Sequence, residues 1–170
     1  MLSQAMQNAV NDQINNELYS SYSYLSMSAY CEHVQFTGCA NWMRLQSQEE
    51  YGHAMRLYNF LIDRQCRVLL KPVAAPQVDF DSVTQVFERA LEQEQTVTHQ
   101  INQLWELAFN EKQFAALVEL EWFIQEQVEE EKTAREIVHK FRMIQNDPAA
   151  LLDMDRELSA RQAEPATPAE

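Results

Sequence analysis

Apolar side chains return every three or four residues through four long stretches, at about 4–32, 39–67, 82–110 and 112–145, and through a shorter one near 148–160. That spacing keeps one stripe of an α-helix dry, so the pattern predicts an all-α chain of four long helices and a short fifth. Each long helix would span roughly 40 Å at about 1.5 Å per residue. Helix-start signals agree with these limits. Thr37-Gly38 opens the second helix, Ser82 with Gln85 three residues later reads as a capping box for the third, and Asp147-Pro148 caps the fifth.

The connections fix the topology. Those near 33–38 and 110–112 are short, which forces antiparallel neighbours. The segment from Val68 to Asp81, with Pro72 and Pro76, is different. Roughly fourteen extended residues at about 3.3 Å each reach along a whole helix, so the second and third helices are expected to run parallel. The expected architecture is a four-helix bundle with one long crossover, a single domain over 1–160. The remainder, 161–170, holds Pro165 and Pro168 and reads as a disordered tail.

Composition narrows the class. Two Gly and five Pro in 170 residues leave helices free to run without interruption. A net charge of −13 excludes a nucleic-acid partner, which demands a basic face, and favours cationic ones. No window has the apolar length of a membrane span, and the amino terminus lacks a basic stretch leading into an apolar run, so export is not expected. Cys31, Cys39 and Cys66 form no CxxC pair, so reduced thiols and a cytoplasmic location are expected.

The apolar stripes are broken in one place on each long helix. The first reads Val10, Ile14, Glu17, Ser21, Tyr24, Cys31, and the third Val83, Phe87, Leu91, Glu94, Val97, Ile101, Trp105. The second carries Glu50 and His53 between Gln46 and Leu57, and the fourth carries Gln127 and Glu130 between Phe123 and Ala134. Each interruption lies close to its helix's midpoint, and midpoints meet at one level of a bundle whichever way the helices run. Carboxylates gathered there would each lose several kcal/mol by desolvation, about as much as a strong compensating charge must supply. Hard oxygen donors with one imidazole suit iron or manganese. A Glu from each of two helices with a Glu-x-x-His pair is a di-iron carboxylate arrangement.

On these residues, with the opening Met1-Leu2-Ser3 and the runs Gln48-Glu49-Glu50-Tyr51-Gly52-His53 and Glu126-Gln127-Val128-Glu129-Glu130-Glu131, the chain resembles the prokaryotic non-haem ferritins over about 1–160. The resemblance implies the ferritin-like fold and an iron-storage function with ferroxidase activity. Glu17, Glu50 and His53 would hold a first iron, with Glu50 bridging to a second held by Glu94 and Glu130. Gln127 would stand behind them, and Glu49, Glu126 and Glu129 would join Glu130 in a third iron site. Tyr24 would hydrogen-bond a ligand carboxylate or donate an electron, and Trp122 is a further electron donor. The implied reaction oxidises Fe(II) with dioxygen or hydrogen peroxide and deposits ferric oxide inside a hollow 24-mer, with the fifth helix around its four-fold axes. Haem is not expected, since Tyr51 stands where haem-binding relatives place Met.

Three rivals fit less well. A DNA-protecting mini-ferritin places a short helix where Pro72 and Pro76 lie. A di-iron oxygenase carries Glu-x-x-His on both halves, whereas the second half here reads Gln127-x-x-Glu130. A metal-free structural bundle gives Glu17, Glu50, His53 and Glu94 no reason to face inward.

Overall fold

The structure is a computed structural model and describes residues 2–163. Its elements are α1 (Gln4–His33), α2 (Thr37–Asp63), α3 (Val83–Asn110), α4 (Phe114–Ile144) and α5 (Pro148–Ser159). The first four pack as a bundle, and α5 lies chiefly against α2. Among the described residues, no helix is long and apolar enough to cross a membrane.

The starts obey the local chemistry. Ser3 Oγ accepts from Met6 N, Ser82 Oγ from Gln85 N, and Asp147 from Ala149 N and Ala150 N. The capping box at Ser82 is modified, because Gln85 Oε1 accepts from the Asp81 N–H at 2.7 Å. Three helix ends use a left-handed residue that is not glycine: Gln35 (φ 66°), Gln65 (φ 56°) and Lys112 (φ 54°). After each, the next N–H bonds five residues back, Phe36 to Cys31, Cys66 to Leu61 and Gln113 to Ala108. This pattern satisfies terminal carbonyls and reverses the chain. It also explains why α2 stops at Asp63 and not near residue 67 as expected: the cap at Gln65 ends it, and the crossover begins at Arg64.

That crossover runs along α1. Asn11 Nδ2 donates to Arg67 O (3.2 Å) and Asn11 Oδ1 accepts from Leu69 N (2.6 Å) near one end. Ser26 Oγ donates to Gln77 O at 2.7 Å further on, and Tyr30 packs edge-on against Phe80 at 5.1 Å near the other end. The chain therefore returns to the end where α2 began, and α3 runs parallel to α2. The tail expected from residue 161 begins among described residues, where Arg161 is held by side chains of α2. Residues 164–170 of that expectation lie outside the described residues.

The dry core has two parts. One, toward the α5 end, gathers Met27, Trp42, Met43, Phe87, Phe141 and Leu158. The other gathers Met6, Ile14, Leu57, Ile101, Leu120 and Phe123. Buried polar side chains occupy the level between them.

The first turn of α2 has no side-chain cap of its own, since Phe36 occupies the cap position. Asp155 of α5 substitutes, its Oδ1 accepting from Cys39 N at 2.8 Å. This approach needs Gly38, because a Cβ there would lie 1.9 Å from the Asp155 carbonyl oxygen. Gly38→Ala is therefore expected to undock α5 at a cost of about 1–3 kcal/mol. Denaturant unfolding with amide exchange of α5 measures this; a wild-type midpoint with α5 equally protected would contradict it.

Candidate metal centre

Glu17 of α1, Glu50 and His53 of α2, Glu94 of α3, and Gln127 and Glu130 of α4 are all buried. The stripes that placed them inward thus close around a shared interior. Glu17, Glu50 and His53 each offer a ligand atom, and the three atoms lie within 4.8 Å of one another. His53 also joins Glu126 and Glu130 in a second group of the same span. His53 Nδ1 stands 3.5 Å from Glu50 Oε2.

The surrounding hydrogen bonds are directional. Gln13, one turn before Glu17, donates to its Oε1 at 2.8 Å. The Tyr24 hydroxyl donates to Glu94 Oε1, and Gln127 Nε2 donates to Glu94 Oε2 at 3.2 Å. Gln46 Nε2 donates to Glu130 Oε2 at 2.8 Å. Gln127 also reaches the Glu94 carbonyl and Thr98 Oγ1, each at 3.3 Å. Neither oxygen of Glu50, nor Oε2 of Glu17, has a hydrogen-bond partner among the described residues. A buried carboxylate oxygen without a donor costs on the order of 1–3 kcal/mol, more when charged.

Burial pushes the carboxyl groups of Glu17, Glu50 and Glu94 above the usual range. For Glu17 the neighbouring Glu50 adds to the effect, and for Glu50 the neighbours Glu94 and Glu130 do. Glu130 rises from its ordinary 4.5 to about 8, through burial first and Glu94 second. Burial, then Glu94, also holds the Tyr24 phenol well above its ordinary value. Divalent cations fit this donor set. Bound there, they would stand in for the missing donors at Glu17 and Glu50 and offset the repulsion among the acids.

The other expected residues are placed as follows. Glu94 stands among the acids but in neither three-atom group, both its oxygens being bonded to Tyr24 and Gln127. Glu126 is half-buried and belongs to the group with His53. Glu49 is paired with Arg161, Oε2 to Nη2 at 2.5 Å. Glu129 is exposed and stands in neither group. Trp122 packs edge-on to His53 at 5.3 Å, with the Arg56 guanidinium 4.3 Å over its ring. Sequence reasoning gave no role to Gln13, Gln46 or Arg161. Gln13 was legible as the helical neighbour four residues before Glu17, and Gln46 as a buried amide on the α2 stripe.

A family model described as a ferritin-like domain matches residues 7–144. The chain belongs to the ferritin family. It is 37% identical to the bacterial non-heme ferritin of Staphylococcus aureus over 161 residues, covering 95% of this chain and 97% of that protein. The same identity holds for the Staphylococcus epidermidis bacterial non-heme ferritin. Among solved structures, an open-pore ferritin of Archaeoglobus fulgidus superposes with TM-score 0.94 at 46% identity, covering 95% of this chain and all of that one. A closed form engineered from the same ferritin gives 0.95 at 46% identity, covering 96% of this chain and all of that one. These ferritin structures share the bundle with its short fifth helix.

The raised carboxyl groups link stability to pH. Their contribution is full below about pH 4.5, where folded and unfolded forms are both protonated, and is lost as pH rises through the folded value, about 8 for Glu130. The metal-free protein is expected to lose melting temperature between pH 5 and 8. Zn(II) is expected to raise it more at pH 8 than at pH 5. Calorimetric scans at both pH values check this, and a larger zinc effect at pH 5 would contradict the arrangement.

Proposed function

We infer that this ferritin-family chain stores iron and oxidises it on the way to storage. The observation that carries the reading is that Glu17 and Glu50, on different helices, lie with His53 in a span of 4.8 Å and each keep a buried oxygen without a hydrogen-bond donor. Two Fe(II) ions are the substrate. Glu17, Glu50 and His53 hold the first, Glu50 bridges, and Glu94 with Glu130 holds the second. Glu94, bonded to Tyr24 and Gln127, would have to share or release one of those bonds to reach the ion. Each Fe(II) gives up one electron. Dioxygen takes the two together with two protons to become hydrogen peroxide, and where peroxide is the oxidant it is reduced to water.

The chain's part is placement and charge. Carboxylates favour Fe(III) over Fe(II) because attraction grows with the charge of the ion, so the ligand set itself promotes oxidation. Gln127 is neutral where a symmetric centre has a further ligand, which holds the second iron more loosely and lets ferric ions leave for the mineral. Glu126 and Glu130, which share a ligand span with His53, would form an outer third iron site with Glu129, and Glu49 would join it once its pair with Arg161 opens. Tyr24 and Trp122 stand close enough to the acids and His53 to supply electrons. No haem is bound.

The product is a ferric oxide core inside a hollow homo-oligomer of 24 chains in the cytoplasm. Phe114, Val118 and Val128, exposed on α4, supply apolar surface for contacts between subunits. The net charge of −13 draws cations toward the shell.

Aerobic addition of Fe(II) tests the reading. Wild-type protein should oxidise and retain hundreds of ions per assembly, whereas a two-iron enzyme would keep only its resident pair and a structural bundle none. Glu17→Ala and Glu94→Ala should each slow the initial oxidation by about 10- to 100-fold while assembly persists. Wild-type rates in both would refute the assignment.

A further inference from the structure

Arg161 lies just beyond α5, yet its side chain reaches the middle of α2. The guanidinium stacks on the Trp42 ring, 4.5 Å from its centroid. Nη1 donates to Gln46 Oε1 at 2.8 Å and to the Trp42 carbonyl at 3.5 Å, while Nη2 donates to Glu49 Oε2 at 2.5 Å. The Arg161 and Glu49 side chains are only 21% and 18% exposed, so water screens the pair weakly. Gln46 is fully buried and passes the contact on, its Nε2 donating to Glu130 Oε2 at 2.8 Å.

A carboxamide has one accepting and one donating end. With a cation on one side and a carboxylate on the other, only one orientation of Gln46 satisfies both. The reversed amide sets oxygen against Glu130 and NH2 against the guanidinium. Arg161 therefore determines which face Gln46 shows to Glu130, and its planar fork serves Gln46 and Glu49 at once, which a lysine ammonium cannot do with the same geometry.

We propose that Arg161 is an internal counter-cation and positioning residue that keeps Glu49 from metal and, through Gln46, holds Glu130 in place. This rests on reading the centre as the ferrous oxidation site. A metal ion that takes Glu49 Oε2 must displace the guanidinium, so filling the outer acidic site and docking of the segment after α5 are linked and oppose each other. Linkage of this kind is reciprocal: loosening Arg161 strengthens metal binding by the factor with which metal loosens Arg161.

The test is calorimetric titration of the assembled, metal-free protein with Zn(II), which binds carboxylate and imidazole without redox chemistry, together with zinc anomalous maps. Arg161→Ala is expected to bind one further Zn(II) per chain, or to tighten the weakest site by about tenfold or more, the loss of a charge-assisted bond's restraint. The double variant Arg161→Ala/Glu49→Gln should abolish that gain. Arg161→Lys should tighten the weakest site by a smaller factor, and it decides the question if Arg161→Ala does not assemble. Wild-type stoichiometry and affinities in the variant that assembles would overturn the proposal even if its melting temperature falls, because a merely structural residue gives that result. Failure of the underlying reading looks different: wild-type protein would then show no zinc at Glu17, Glu50 and His53, whatever Arg161 does.

Discussion

Acidic side chains that have been taken out of water on four helices at once are the constraint from which the rest of the molecule follows. Each of Glu17, Glu50, Glu94 and Glu130 is buried, and burial is the first cause of the raised pKa of every one. Amides offset part of that cost, Gln13 at Glu17, Gln127 at Glu94 and Gln46 at Glu130. Glu50 receives none. A continuous hydrophobic seam would avoid that cost, so the polar middle weakens the metal-free bundle unless a cation offsets it. On the proposed function, the burial that weakens the metal-free protein near neutral pH is also what would draw Fe(II) to the centre.

Much of this was legible in the chain. The interruption of four apolar stripes at matching heights depends only on helical periodicity, and Glu17, Glu50, His53, Glu94, Gln127 and Glu130 are buried as the stripes require. The single crossover was legible too, because two prolines and extended length allow little else between Arg64 and Ser82. The details that stayed hidden are those that depend on tertiary partners. The end of α2 at Asp63 is set by a left-handed Gln65, which no sequence rule favours over glycine. Gly38 reads as a helix opener, yet its reason is a backbone from α5 more than a hundred residues away. Arg161 reads as tail composition and folds back by a cation–aromatic contact that no local pattern encodes. Glu49 and Glu129 were grouped with the site by resemblance, and the structure treats them differently, one paired with Arg161 and the other on the surface.

Besides its ion pair to α4 through Lys140 and Glu157, the fifth helix and the turn after it hold α2 at two points. Asp155 supplies the missing cap at the first turn of α2, and Arg161 grips Trp42, Gln46 and Glu49 further along it. The helix that contributes Glu50 and His53 is thus braced from outside along half its length. Precise placement of ligands requires such support, since side chains displaced by even 1 Å lose much of their chemistry.

The division of the dry core into two clusters has a mechanical consequence. Most helical bundles loosen from their tips inward, but here both ends are gripped by aromatic and aliphatic packing around Phe87 with Phe141 and around Leu120 with Phe123. Between these grips the waist buries acids and amides where the ends bury apolar side chains, so it has the least hydrophobic cohesion. Each end can therefore hold the bundle's register by itself, and the waist is left to be braced by whatever fills it.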